Sequence, residues 1–330
     1  MNTFTKPAIE VNQQIQLLKN RGLVILEESR ATLFLETVSF FRLTPYMRPF
    51  QVVGDSQHNF KANIGFRQIS RLYDFDRRLR LLIMDAIERV EVASRARISN
   101  HLGPKYGAHW YLEKSQFKNR YDHDRLLDTL KEKQQSAQRD YQKECARIDS
   151  VKNTDITRKT IQKQRRAQES YARHYSLNYN QPLFMPGWAI IEELTLGELS
   201  HLYKGLAKDV DKKAIAKTMG LSAPLLESWL HTLTTIRNIC AHHGRLWNRE
   251  LGIKPEQPKN TDLTWPHYLH RNNPHTRVSV VLAMLHHLMQ QVSPNTLWHQ
   301  RIIDLFNEFP EIPLLFMGLP DNWQKDTFWK

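Results

Sequence analysis

One stretch of this sequence leaves little freedom in how the chain folds. Between residues 67 and 100, Leu72, Phe75, Leu79, Ile83, Ala86, Val90 and Ala93 recur at steps of three or four. That is the repeat of an α-helix with one apolar stripe, so the segment is predicted as a single long helix lying against a core. Asp85 with Arg89 and Glu91 with Arg95 stand four apart, the spacing of ion pairs along a helix, and are assigned to its outer face. Nothing elsewhere alternates with a period of two between turn signals, and glycine occurs only 12 times, so hairpin-rich folds lose weight. The expected class is all-α. With 330 residues, 41% of them hydrophobic, the chain is long enough to bury one large core or two smaller ones.

The other helices follow from the same period. Residues 7 to 50 read as two short helices, the first carrying Ile9, Ile15, Leu17 and Leu18, the second Ala31, Leu33, Phe34, Val38 and Phe41 and ended by Pro45 and Pro49. Beyond Pro182 and Pro186, the residues Trp188, Ile190, Ile191, Leu194, Leu196, Leu199, Leu202 and Leu206 mark one or two helices around Gly197. Shorter helices are predicted over Asp211 to Met219, Ala223 to His243, Thr276 to Val292 and Thr296 to Phe309, with Ser222 as a cap and Gly244 as a stop. Three parts result: an N-terminal helical part over 1–113, a basic helical excursion over 114–180, and a C-terminal helical part over 181–330 that forms one compact unit with the first.

Lys and Arg outnumber Asp and Glu by 47 to 34, a net charge of +13, which favours polyanionic partners, nucleic acid first. The two cysteines, Cys145 and Cys240, offer neither a disulfide framework nor a metal knuckle. The N-terminus lacks a basic region followed by an apolar one, and no apolar run approaches the roughly 18 residues of a membrane span. A cytoplasmic protein without membrane contact is expected. The excursion holds sixteen Lys or Arg against nine Asp or Glu. It reads equally as a solvated helical hairpin or as an RNA surface built on Lys159, Lys163, Arg165 and Arg166, with Tyr121, Tyr141, Tyr171, Tyr175 and Tyr179 placed to stack on unpaired bases.

Chemistry concentrates in the helix predicted over Ala223 to His243. At about 100° per residue, Leu225, Trp229, Leu233, Ile236 and Cys240 share the core arc, while Asn238 and His242 project from the opposite side. Arg237 lies on the flank, and His243 falls near the core arc. A forked, permanently charged Arg suits a phosphate, and a His at the negative end of a helix dipole suits proton transfer. Arg237 would then hold a scissile phosphodiester while His242 moves a proton to or from the attacking 2′-hydroxyl or the leaving 5′-oxygen. Such cleavage needs no metal and leaves a 2′,3′-cyclic phosphate.

Arg237-Asn238-Ile239-Cys240-Ala241-His242 resembles the signature of HEPN ribonucleases, including the Asn after the Arg. The surrounding chain resembles the Abi-like proteins of bacterial abortive infection, of the AbiD and AbiF type. Ser39-Phe40-Phe41-Arg42-Leu43-Thr44-Pro45-Tyr46-Met47-Arg48-Pro49-Phe50 is similar to that family's N-terminal element. Leu72-Tyr73-Asp74-Phe75-Asp76-Arg77-Arg78-Leu79-Arg80, followed by Ile87-Glu88-Arg89-Val90-Glu91, resembles its long helix. Ala241-His242-His243-Gly244-Arg245-Leu246-Trp247-Asn248-Arg249 and Met317-Gly318-Leu319-Pro320 with Trp323 resemble its later motifs.

The resemblance implies a HEPN-type helical bundle and an anti-phage, metal-independent endoribonuclease with catalytic residues Arg237, Asn238 and His242. It also implies a small structured noncoding RNA as partner, and a homodimer, because HEPN sites pair two signatures and this chain has one. Arg245, Trp247 and Asn248 would support the site, although packing is the preferred role of Leu246 and Trp247. The alternative is a catalytically silent RNA-binding module that scaffolds a noncoding RNA in phage defence. His267 with His270, and His286 with His287, invite a zinc reading, but no compact Cys or carboxylate set accompanies them, so neither metal nor cofactor is expected.

Overall fold

In a computed structural model, which describes residues 3, 7–152, 155–259, 263–269 and 276–330, these segments form thirteen α-helices. In chain order they are α1 (Val11–Asn20), α2 (Glu28–Val38), α3 (Phe40–Met47), α4 (Phe66–Tyr106), α5 (His123–Ser150), α6 (Ile156–Gln168), α7 (Tyr171–Asn178), α8 (Gly187–Glu193), α9 (Leu196–Gly205), α10 (Asp209–Thr218), α11 (Ala223–Ala241), α12 (Val278–Val292) and α13 (Trp298–Glu308). Among the described residues β-pairing is confined to three isolated bridges, so the chain is all-α. No helix among them is long and apolar enough to cross a membrane.

The periodic segment is α4, and everything else is arranged around it. Gln68 reaches back to the Gly65 N–H at 2.7 Å to start the helix, and Gly107, at φ 89°, stops it. It outruns the predicted end and carries Gly103 and Pro104 in its last turn. Leu72, Phe75, Leu79, Ile83, Ala86 and Val90 are buried as the stripe requires. Ala93 is only half-buried, and the inward positions pass to Ser94, Ile98 and Leu102. Asp85 and Arg89 pair at 3.2 Å. Glu91 and Arg95 also pair, but not on an outer face. Arg95 donates to the Leu194 carbonyl at 2.8 Å, so the pair is tucked under the turn between α8 and α9.

Helices α3, α8, α10, α11, α12 and α13 all pack on α4, so the N-terminal and C-terminal parts share one core through it. Each large aliphatic side chain buried there contributes about 1.5–3 kcal/mol. The turn from α8 to α9 is set by Thr195, whose hydroxyl accepts from the Glu198 N–H while the Glu198 carboxylate accepts from the Thr195 N–H at 2.7 Å. Gly197 then lets α9 close on α11, since a Cβ there would meet Thr234 Cγ2 at 3.2 Å.

Two expectations need correction. The second N-terminal helix is broken at Ser39, whose φ is 71°, and Pro45 lies inside α3 rather than ending a helix. The break resets the helical phase. Phe41, assigned to the core, is 88% exposed, whereas Leu43, Tyr46 and Met47 turn inward. In the excursion, α5, α6 and α7 pack on one another, clamped by Lys163–Asp149 at 2.7 Å and Arg173–Glu144 at 3.0 Å. Tyr121 and Tyr175 are buried, with Tyr121 stacked on Phe117 at 4.7 Å, so neither ring is open to a base. Tyr171 and Tyr179 remain about half exposed.

Candidate active site

Helix α11 presents the signature as its phase dictates. Leu225, Trp229, Leu233, Ile236 and Cys240 are buried, Arg237 is half-buried, and Asn238 and His242 are exposed. Trp229 fixes the inward face by donating to the Glu256 carbonyl at 3.0 Å. Ser222 is the N-cap residue, but its hydroxyl makes no capping bond. Arg237 Nη1 lies 3.5 Å from Asn238 Oδ1, a contact at the limit of a hydrogen bond that leaves the guanidinium open to an anion. Cys240 is no nucleophile, because burial pushes its thiol up to about 12.

The helix ends one residue before His242, and this changes the role of His243. His242 is the C-cap, and its N–H donates to the Asn238 carbonyl at 3.0 Å. The Gly244 N–H reaches the Ile239 carbonyl at 2.8 Å and the His243 N–H the Cys240 carbonyl at 2.9 Å, the paired bonds of a Schellman turn. Its left-handed residue is His243, with φ 55°, and His243 is exposed rather than directed to the core. Rotation at 100° per residue holds only while the helix lasts, and it has stopped by then. Gly244 is needed for a different reason than positive φ: a Cβ would sit 3.1 Å from the Ile239 carbonyl oxygen.

What holds this turn in place is Asp76, a fully buried carboxylate in α4. Its Oδ1 accepts from the backbone N–H of Trp247 at 2.6 Å and of Leu246 at 3.1 Å. Its Oδ2 accepts from the Tyr46 hydroxyl at 2.5 Å and from the Arg80 guanidinium. Burial pushes the Asp76 carboxyl up, and Arg80, Tyr46 and the two amides oppose it. Against its own burial, Arg80 is held in its charged form by Asp76 and Tyr46. Arg42 adds a further tie, donating to the His243 carbonyl at 2.9 Å. Leu246 and Trp247 are buried, the packing role preferred for them. Asn248, also left-handed at φ 49°, accepts from Arg277 at 3.3 Å and anchors the turn to the start of α12.

Three stretches from different parts of the sequence therefore meet behind His242: the α3 element, the Asp76–Arg80 turn of α4, and the segment after the signature. Asp76, Arg80, Tyr46 and Arg42 escaped the sequence reading as site residues. Their signal was present, since Asp76 and Arg80 occupy inward positions of the α4 stripe, where a charge is costly unless paired.

The other proposed residues separate in space. Arg245 follows the signature and is half-buried. Lys159, Lys163, Arg165 and Arg166 lie on α6, which packs on α5 and α7. Lys163 is paired with Asp149, Arg166 with Glu169 at 2.7 Å, and Lys159 donates to the Asp149 carbonyl at 2.8 Å. His286 and His287 are buried on α12, while His270 lies outside the described residues. No group of three or more metal-ligating side chains comes together among the described residues.

Fold and site together define an all-helical protein that displays an Arg, an Asn and a His at the end of one helix, with a buried ion pair bracing the turn beyond. Comparison with known families matches residues 33–248 to the family described as Abi-like protein, and the chain belongs to that family. The matched range takes in α3, α4 and the whole signature as far as Asn248, and stops short of the Met317 to Trp323 element. No curated protein and no solved structure matches the chain.

Proposed function

We propose that this chain is an abortive-infection effector of the HEPN type, a metal-independent endoribonuclease that acts as a homodimer and works with a small structured noncoding RNA. Its membership of the Abi-like family supports the defence role. The observation that carries the ribonuclease reading is that Asn238 and His242 are exposed and Arg237 half-buried at the C-terminal end of α11 and its cap, while the next turn is braced by Asp76. A rigid support of this kind is what a proton-transfer group needs to stay within reach of its substrate.

In this mechanism the RNA 2′-hydroxyl attacks its own phosphorus and the 5′-oxygen leaves. The attacking oxygen loses a proton and the leaving oxygen gains one, so two proton carriers are required. One His242 serves as base and its counterpart in the second copy as acid, which is the chemical reason for a dimer. Arg237 offsets charge developing on the phosphoryl oxygens, and Asn238 positions them.

The test is cleavage of cellular RNA by the purified chain in EDTA, with end-group analysis. Cleavage that persists and leaves 2′,3′-cyclic phosphates, and that disappears in Arg237→Ala and in His242→Ala without loss of thermal stability, is the expected result. Products with 3′-hydroxyl and 5′-phosphate ends, lost on chelation, would overturn it.

A further inference from the structure

Residues 39–50 and 237–249, brought together by the Arg42 bond to the His243 carbonyl, contain five arginines, two histidines and no Asp or Glu. Arg42, Arg48 and Arg249 are exposed, and Arg237 and Arg245 half-buried. Arg249 Nη1 rests on the Arg245 carbonyl at 3.3 Å. None of the five is ion-paired among the described residues, although elsewhere Arg71, Arg78, Arg89 and Arg173 all hold carboxylates. Asp76, which bonds this turn, is already occupied by Arg80 and Tyr46. The crowding is felt at Arg245, where burial lowers the pKa and Arg249 and Arg48 push the same way against Asp76 and Tyr46. Like charges gathered without a counterion create a potential that a polyanion relieves.

A second feature distinguishes the polyanion. Phe41 is 88% exposed and directly precedes Arg42 near the start of α3, while Arg48 follows as the C-cap residue of the same helix, so one exposed ring and two exposed guanidinium groups border one short helix. An exposed ring beside cations is the arrangement on which unpaired bases stack.

We propose that Arg42, Arg48, Arg245 and Arg249, with Phe41 as a stacking platform, form a seat for single-stranded RNA that leads the strand to Arg237 and His242. This rests on the ribonuclease reading above and shifts the principal RNA contact from the excursion to the junction of α3 and α11. On α6, Lys163 and Arg166 are neutralised by carboxylates and Lys159 is held by a carbonyl.

The test is fluorescence anisotropy with a short labelled single-stranded RNA of mixed sequence, titrated over a range of salt, in a His242→Ala background that keeps the probe intact. The Arg42→Gln/Arg48→Gln/Arg249→Gln variant is expected to bind about tenfold more weakly, with a slope of log affinity on log salt reduced by about 2. Phe41→Ala should weaken binding several-fold with the slope unchanged, because stacking releases no counterions. The Lys159→Gln/Lys163→Gln/Arg165→Gln/Arg166→Gln variant should lose less than the triple variant on both measures. Arg48→Gln alone, whose side chain makes no hydrogen bond, guards against misfolding and should reduce the slope by about 0.7. An unchanged slope in the triple variant overturns the seat while leaving RNA binding intact. If the triple variant keeps its affinity but changes from dimer to monomer in light scattering, the cluster is a contact between copies and the proposal is likewise lost. Failure of the parent to bind RNA at all removes the underlying reading as well.

Discussion

Replacing Asp76 by Asn tests whether the turn after the signature is held by a buried ion pair. The change preserves shape but removes the charge that matches Arg80. Asp76 is fully buried and the Arg80 side chain is 6% exposed, so solvent does little to screen the loss. The new amide can still accept from the Leu246 and Trp247 N–H groups with its oxygen, and the Tyr46 hydroxyl can rotate to accept from its nitrogen. Arg80 keeps its bond to the Tyr46 hydroxyl at 3.2 Å but loses its counter-charge, and a guanidinium only donates, so it cannot bond the new amide nitrogen. Leaving one buried charge unpaired costs about 3–5 kcal/mol, a large share of the roughly 5–15 kcal/mol that stabilises a typical domain. At about 2 °C per kcal/mol for a chain of this size, the melting temperature should fall by about 6–10 °C. Hydrogen exchange at the amides of Leu246 and Trp247 should rise with it. The decisive arm is Asp76→Asn/Arg80→Met, which removes both charges and should be more stable than Asp76→Asn alone by more than about 1 kcal/mol. A single variant that melts within a degree or two of wild type, or a double variant less stable than the single, would refute the argument.

Two further predictions follow from the turn and from α12. Because His243 occupies the left-handed position of the Schellman turn with its side chain in solvent, His243→Gly should raise stability by about 0.5–1 kcal/mol and His243→Ala should leave it within about 0.5 kcal/mol; a large loss in chemical denaturation of the Ala variant would return His243 to the core. Burial, helped by His299 and His287 and opposed by the Phe328 carbonyl, pushes His286 down to about 4. A folded value below the ordinary 6.5 means that the unfolded chain takes up the proton first as pH falls, so this contribution is complete above about pH 6.5 and is lost on the way to pH 4, up to about 3 kcal/mol. His286→Gln should therefore show a flatter melting temperature than wild type across that window, and parallel profiles would contradict it.

The α4 helix was legible from its apolar period alone, and so were the inward arc of α11 and the outward placement of Asn238 and His242. The start of α3 was not, since the Ser39 break is a single left-handed residue with no glycine or proline to announce it. Continuing the old phase across that break put Phe41 in the core, where the structure has Leu43 and Tyr46 instead. The same fault misplaced His243, two residues beyond the last residue of α11. The excursion was read from its charge count, which records how many cations there are but not that Asp149, Glu144 and Glu169 already hold several of them.

The sequence by itself determined that this is an all-helical chain and that an Asn and a His stand on the solvent side of one helix with an Arg on its flank, because both facts depend on spacing within a few turns. Tertiary structure decided what supports those residues. Asp76 finds Tyr46 thirty positions before it and Leu246 a further 170 beyond it, and no local pattern encodes a bond between groups so far apart. The gathering around the end of α11 of five arginines that make no ion pair among the described residues has the same origin. Charge is written along the chain, but only packing of α3 and α11 against α4 decides which charges meet and which remain without a counterion.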